Sequence, residues 1–385
     1  GGQTLVEANV SHYFKSFPRI PVWELSKTSN GIKLMKTYEF KIKIRDALKN
    51  KIENQLGCTR LVYNLALETK EESFKKGVKL SKFDLIKQLP ELKKEFKWLS
   101  NVHSQTLQGT IERLEKGYDK FFSDLKKGIT TSKPKFAKKK KWSSVEYKSS
   151  AVKYTGNSEI SISKIGRIKF FKSREIEGEI RIVRIVKKAD GYYLNIVTDK
   201  NFDKCDNQTT VGIDVGLKYF VVTSEGEYFE NIKTLKRFQE KLRIENRKLS
   251  RKKKFSNNFY KQVNKIKLLY LKISRVRKDY LHKVSSKLAK NYSIIVCEDL
   301  SISQMIQQKG FSKNISDVSW GSFLEMLNYK ANLVKVDAKY SSQECNSCGH
   351  ISKENRPTQE LFKCVKCGHS GNADFEASIT ILNRI

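Results

Sequence analysis

A chain of 385 residues with 38% hydrophobic and 11% aromatic side chains can build two or three packed domains, which excludes a disordered polymer. Lysine and arginine number 76 against 41 acids, a net charge of +35, which points to a polyanionic partner held through counterion release from phosphate. No run of about eighteen apolar residues exists, so no membrane span is expected; the first residues lack the basic start and apolar middle of a signal peptide, which makes a cytoplasmic protein the expectation.

In chain order, "KTYEFKIKI" (36–44) alternates and predicts a strand. From about 46 to 125 the apolar spacing becomes helical, and a loop with Pro134 and the run Lys138, Lys139, Lys140, Lys141 follows. Alternation returns over 145–200, where "ADG" (189–191) predicts a hairpin turn, so a β-rich unit is split by a helical insertion. After a break at 200–208, "TVGIDVGLKYFVVTSEGEYFE" (210–230) reads as apolar strands joined by "SEG". Residues 231–290 are basic, with aliphatic positions recurring at three and four, which predicts a helical hairpin with one buried stripe. Then come a buried strand, "YSIIVCEDL" (292–300), a capped helix over 315–331, and a strand over 333–340.

Seven cysteines divide into two groups. Cys58, Cys205 and Cys297 are isolated and suit small buried hydrophobes. Cys345-x2-Cys348 and Cys364-x2-Cys367, with residues 349–363 between them, have the spacing of a structural zinc site. A glycine after each pair permits the tight turn that aims two thiolates at one tetrahedral ion. Four thiolates leave no open coordination position, so this Zn2+ is expected to be structural, and His350 and His369 are not needed as ligands.

Three acids stand at element ends. Asp214 closes a hydrophobic strand, with Gly216 placed to let a backbone or a phosphate approach. Glu298 closes another, and Asp374 opens a short helix, "DFEASITILNRI", whose Ile379 and Leu382 have core spacing. Each alone has an ordinary structural account, Asp374 as a favourable charge at a helix N-terminus. Converging at one sheet end, they would hold hard divalent cations, and two such ions can stabilise both attack and departure at a phosphodiester.

The order Asp on a first β-hairpin, Glu on a later strand and Asp on a last helix resembles the RuvC-type nuclease of the RNase H superfamily. The segments "GIDVGLKYFVVTSEG", "RKDYLHKVSSKLAKNYSIIVCEDLSISQM", "VDAKYSSQECNSCGH" and "CGHSGNADFEASITILN" narrow this to a resemblance to the TnpB family, transposon-encoded RNA-guided DNA nucleases related to compact type V CRISPR effectors. The resemblance covers about 36–385; residues 1–35 have no counterpart in it.

It implies an α+β multidomain fold: a β-barrel wedge domain (36–55 and 140–204), a helical recognition lobe inserted in it (56–139), and an RNase H-like α/β RuvC domain (205–344 and 368–385) carrying an inserted four-cysteine zinc ribbon (345–367). It further implies Asp214, Glu298 and Asp374 as ligands of catalytic Mg2+, two ions in all, and a noncoding guide RNA that pairs with double-stranded target DNA beside a short motif, one protein per guide. Lys138, Lys139, Lys140, Lys141, Arg251, Lys252 and Lys253 are candidate backbone contacts, and Trp142 and Phe255 candidate stacking platforms. The family's motif after the last Asp has Asn where this chain has Glu376 and Ala where it has Ser378, so Glu376 is either a fourth acid near the metals or a solvent-facing residue. The alternatives are an RNA-guided repressor with little cleavage and a guide-free RuvC-like junction nuclease or transposase.

Overall fold

The structure, a computed structural model, describes residues 26–28, 31–33, 35–200, 202, 204–232, 234–300, 319–337 and 339–385. The chain divides into two compact units, with the boundary between Asn201 and Phe202. Among the described residues no helix is long and apolar enough to cross a membrane.

In the first unit a short hairpin, β1 (Ser26–Thr28) and β2 (Gly31–Lys33), precedes β3 (Lys36–Lys41). Helices α1 (Asp46–Lys75), α2 (Lys82–Lys87), α3 (Leu89–Glu95) and α4 (Ser104–Lys126) follow. The remaining strands are β4 (Ser144–Lys148), β5 (Val152–Gly156), β6 (Glu159–Ile162), β7 (Gly166–Lys169), β8 (Ile180–Lys188) and β9 (Gly191–Thr198). They form a sheet ordered β3-β9-β8-β4 and a second ordered β5-β6-β7, all pairs antiparallel, bridged at Ile42 and Phe170. The alternation of "KTYEFKI" is realised directly: Tyr38, Phe40 and Ile42 are buried while Lys41 is exposed. The predicted "ADG" hairpin is present, with Lys188 paired to Gly191 and that glycine at φ +138°.

The helices enclose their own core of Val62, Leu67, Leu99, Leu107 and Leu114. Trp142 overturns its proposed role as a stacking platform. Its indole is buried, donates to Thr59 Oγ1 at 3.0 Å, packs on Tyr63 and lies 4.3 Å from the Arg113 guanidinium. The neighbouring lysine run suggests exposure, but helices α1 and α4 cover the ring, and a large apolar surface gains more there than in water.

The second unit begins with β10 (Thr210–Asp214), β11 (Tyr219–Thr223) and β12 (Tyr228–Glu230), followed by α5 (Thr234–Ser250) and α6 (Asn257–Asn291). Next are β13 (Ile294–Glu298), α7 (Trp320–Lys330), β14 (Asn332–Val336), β15 (Leu361–Lys363), β16 (Ser370–Asn372) and α8 (Ala373–Leu382). A five-stranded sheet runs β12-β11-β10-β13-β14; the first three strands are antiparallel, and β13 and β14 lie parallel to β10. The expected helical hairpin is α5 and α6, whose buried stripe includes Leu242, Leu249, Ile266, Leu269 and Ile273, with Ser256 capping α6.

The helix predicted over 315–331 is present from Trp320 to Lys330; its first positions, 315–318, lie outside the described residues, and Ser319, at φ +58°, gives no side-chain cap. One local expectation fails. In α8 the core positions are Ala377 and Ile381, while Ile379 and Leu382 are only half-buried. The helix is packed on both the sheet and the cysteine segment, so its buried face is wider than a single stripe.

Candidate metal centres

The parallel register pairs Ile213 of β10 with Cys297 of β13, so the next residues on each strand, Asp214 and Glu298, stand at the same end of the sheet. Asp374 comes to them on α8, whose first turn is fixed by Asn372: its side-chain oxygen accepts from the Asp374 and Phe375 N–H groups at 3.1 and 3.2 Å.

The three carboxylates share one electrostatic field. Burial pushes the Asp214 carboxyl up to about 7, and the charges of Glu298 and Asp374 add to the rise. Arg356 and the Val215 N–H act in the opposite direction. Burial also raises Glu298, against the Ser341 hydroxyl that donates to it and the charges of Arg384 and Arg356. Two half-buried acids raised by desolvation, Asp214 also by like charge, are what a hard divalent cation relieves, since it restores the charged forms and supplies the missing countercharge. The donor set is all oxygen, the class of ligand such an ion takes, while among the described residues only the four cysteines already stand close enough together to hold an ion.

Arg356, which the sequence reading passed over, is the cation already present. It is half-buried; its Nη2 donates to Asp374 Oδ1 at 3.1 Å and to the Gln359 carbonyl at 2.8 Å. Asn355, fully buried, sets its position by donating to the Gln343 and His350 carbonyls and accepting from the Val365 N–H. Nothing in the charge-rich string "KENRPTQE" distinguishes Arg356 until the fold brings Asp374 beside it.

The four predicted cysteines converge. Their sulfurs all lie within 4.8 Å of one another, with Cys345–Cys367 and Cys348–Cys364 each at 3.6 Å. Both turns are built alike: Gly349 at φ +70° donates to the Cys345 carbonyl, and Gly368 at φ +74° donates to the Cys364 carbonyl. Only glycine takes that conformation without strain. A closed set of four thiolates fits one tetrahedral zinc, and the set leaves no position open for substrate. His350 and His369 are outside it.

Glu376 belongs to neither arrangement foreseen for it. It is 5% exposed and turns away from the carboxylates into the cysteine segment, where Asn346 Nδ2 donates to Oε2 at 2.8 Å and His369 Nε2 lies 3.0 Å from the same oxygen. Gly216 does admit a close backbone, the carbonyl oxygen of Tyr219 in its own hairpin, 2.9 Å from where a Cβ would stand; the close approach of a second element occurs at Gly212.

Lys138, Lys139, Lys140 and Lys141 form an exposed turn in the first unit, and Arg251, Lys252 and Lys253 an exposed turn between α5 and α6 in the second. Phe255 is 72% exposed beside the latter.

A family model described as "Probable transposase" (OrfB_IS605) matches residues 197–309, and one described as "Cas12f1-like, TNB domain" matches 320–381. A third, described as "Helix-turn-helix domain", matches 35–79, where the structure has β3 and one uninterrupted helix. "TnpB-like protein MJ1635" of Methanocaldococcus jannaschii is 26% identical over 367 residues, 87% of this chain and 80% of that protein. "Putative RNA-guided DNA endonuclease InsQ" of Escherichia coli strain K12 is 30% identical over 376 residues, 91% of this chain and 92% of that protein. The chain belongs to the TnpB family. Other TnpB-related proteins match over a shorter span: "CRISPR-associated endodeoxyribonuclease Cas12f1" of Sulfoacidibacillus thermotolerans is 27% identical over 224 residues, 50% of each chain. Among solved structures, "Structure of the mini-RNA-guided endonuclease CRISPR-Cas_phi3" covers 92% of this TnpB-family chain and 93% of its own, at 11% identity and a TM-score of 0.45.

Proposed function

We propose that this TnpB-family chain is an RNA-guided DNA endonuclease of a transposon, which uses a noncoding RNA to select double-stranded DNA and cuts it by metal-dependent phosphodiester hydrolysis. The observation that carries the reading is that Asp214 and Glu298 end paired parallel strands of a mixed sheet, and that Asp374, on the helix packed against the first of them, acts on Asp214; the strand order supports an RNase H-like reading. The names of InsQ and of the Cas12f1 relative supply the guidance and the substrate class.

In this reading Asp214, Glu298 and Asp374 hold Mg2+, which supplies charge neutralisation at the phosphate and a water acidified for attack. The chain's own part is to keep the three carboxylates at one end of the sheet, to limit the exposure of Asp214 and to keep Arg356 within reach of developing negative charge. The four cysteines hold zinc as a structural clip. Residues 205–344 and 368–385 then form the RuvC domain, 345–367 the ribbon, 36–55 and 140–204 the wedge, and 56–139 the recognition lobe. The two basic turns grip nucleic-acid backbone while base pairing reads sequence.

Retention of all three acids favours cleavage over a purely binding role, and the split β unit with its long helices favours a guided enzyme over a guide-free one. The test is to purify the protein with its flanking genomic DNA, sequence any RNA that it retains, and assay matched DNA with Mg2+. One discrete RNA and matched cutting are expected. Asp214→Ala should abolish cutting and keep the RNA; a variant that still cuts removes the site assignment.

A further inference from the structure

Glu376 is a carboxylate buried to 5% exposure, and the residues that hold it come from both cysteine turns. Asn346, inside Cys345-x2-Cys348, donates to Glu376 Oε2 at 2.8 Å and with the same amide nitrogen to the Glu376 carbonyl, also at 2.8 Å. Asn346 Oδ1 in turn accepts from Thr380 Oγ1 at 2.7 Å, one turn further along α8. From the other side His369, two residues past Cys367, brings Nε2 to 3.0 Å from Glu376 Oε2. The fit is tight: a Cβ on Gly371 would stand 2.3 Å from Glu376 Oε1. A buried carboxylate costs free energy unless it is well partnered, so the Asn346 hydrogen bond and the nearby His369 ring nitrogen, which has no hydrogen-bond partner of its own among the described residues, do more than fill space.

The geometry of α8 gives them a consequence. Successive helical residues are rotated by about 100°, so side chains two apart point to opposite faces. Asp374 therefore faces the carboxylate site while Glu376 faces the cysteine cluster. Fixing Glu376 fixes the rotation of the helix about its axis, at the first turn, where a helix otherwise frays.

We propose that Glu376 is a positioning residue that links the two centres: through Asn346 and His369 it transmits the closed form of the cysteine cluster to the first turn of α8, and so to Asp374. This rests on the functional reading for the role of Asp374, but the linkage itself is independent of cleavage.

The test is amide hydrogen exchange of residues 374–378 in the full-length, zinc-loaded protein, before and after zinc is stripped by a chelator, for the parent chain, Glu376→Ala and Glu376→Gln. In the parent, stripping zinc should speed exchange in this turn by about 10-fold, the scale of losing two buried polar contacts. In Glu376→Ala the turn should exchange fast with zinc still bound at parental content, and stripping should add under about 2-fold. Glu376→Gln, which keeps the Asn346 bond and loses the charge facing His369, should fall between. Should Glu376→Ala fail to fold, Glu376→Gln and Gly371→Ala are judged by the same criterion, the zinc response of the turn. A zinc response of parental size in the variants overturns the proposal. So does loss of zinc from them, because Glu376 would then build the cluster and transmit nothing. Cutting by Asp214→Ala would sink the functional reading and leave this result standing.

Discussion

A Cβ placed on Gly212 would lie 2.2 Å from the Ser378 carbonyl oxygen, with Leu382 Cβ at 2.8 Å. The backbone of α8 therefore rests directly on β10, two residues before Asp214. That contact brings the first acid on the strand and the last acid on the helix into one field, although 160 residues separate Asp214 from Asp374. Because the obstruction is backbone, it cannot be relieved by a rotamer change. Gly212→Ala should cost at least the roughly 1–3 kcal/mol of an overpacked core, read as a lower melting temperature. It should also weaken Mn2+ binding by separating Asp214 from Asp374. Parental stability with parental Mn2+ affinity would show that the helix can shift without disturbing the site.

Arg356 makes the second prediction, because it faces two ways. It occupies one oxygen of Asp374 and offsets the charge of all three acids, so it competes with a divalent cation. Arg356→Gln should tighten Mn2+ binding by about 10-fold, the size expected from removing one nearby partly buried charge. Calorimetry on the zinc-loaded protein measures this. Cutting should nevertheless slow, since the same guanidinium is placed to meet charge that develops on phosphate. A variant that binds Mn2+ more weakly would mean that Arg356 organises Asp374 and does not compete for it.

The strands carrying Asp214 and Glu298 were legible because their signal is local: an apolar run of strand length that ends in an acid. The cysteine turns were legible for the same reason, since spacing and glycine lie within a few residues. Gly212, Arg356 and Asn355 gave no such signal, and Glu376 stood out as an acid with nothing to show where it points. Each acquires its meaning from a partner on another element, and one sequence carries no record of that juxtaposition. Trp142 shows the converse error, in which a charged neighbourhood suggested exposure while Thr59 and Arg113, distant in sequence, had already enclosed the ring.

Removing one thiolate tests the cysteine cluster. The parent should contain one zinc per chain, as a closed tetrahedral site requires. Cys364→Ser should lose most of it at purification and melt earlier, because binding free energy at a structural site is folding free energy. Metal analysis and calorimetry suffice. Serine in place of the isolated Cys205 is the control and should keep full zinc content, since that sulfur donates to the Lys290 carbonyl outside the cluster. Undiminished zinc in Cys364→Ser would mean that a histidine can complete the set after all.

The last prediction concerns pH. Asp214 is held up to about 7, first by burial and then by Glu298 and Asp374. An acid raised on folding binds its proton more tightly in the folded chain than in the unfolded one. Its contribution to stability is therefore complete below about pH 4 and is lost as pH rises through about 7. A divalent cation binds only the deprotonated form, so its effect has the opposite slope. The rise in melting temperature on adding Mg2+ should be small near about pH 6 and large near about pH 8. Thermal melts with and without Mg2+ across that range give the difference directly, and the comparison cancels the pH response of charges elsewhere on the chain. Asp214→Asn should flatten the profile by removing the group that titrates. If the parent's Mg2+ increment is already flat, Asp214 is ionised throughout and its environment is less apolar than the packing around β10 implies.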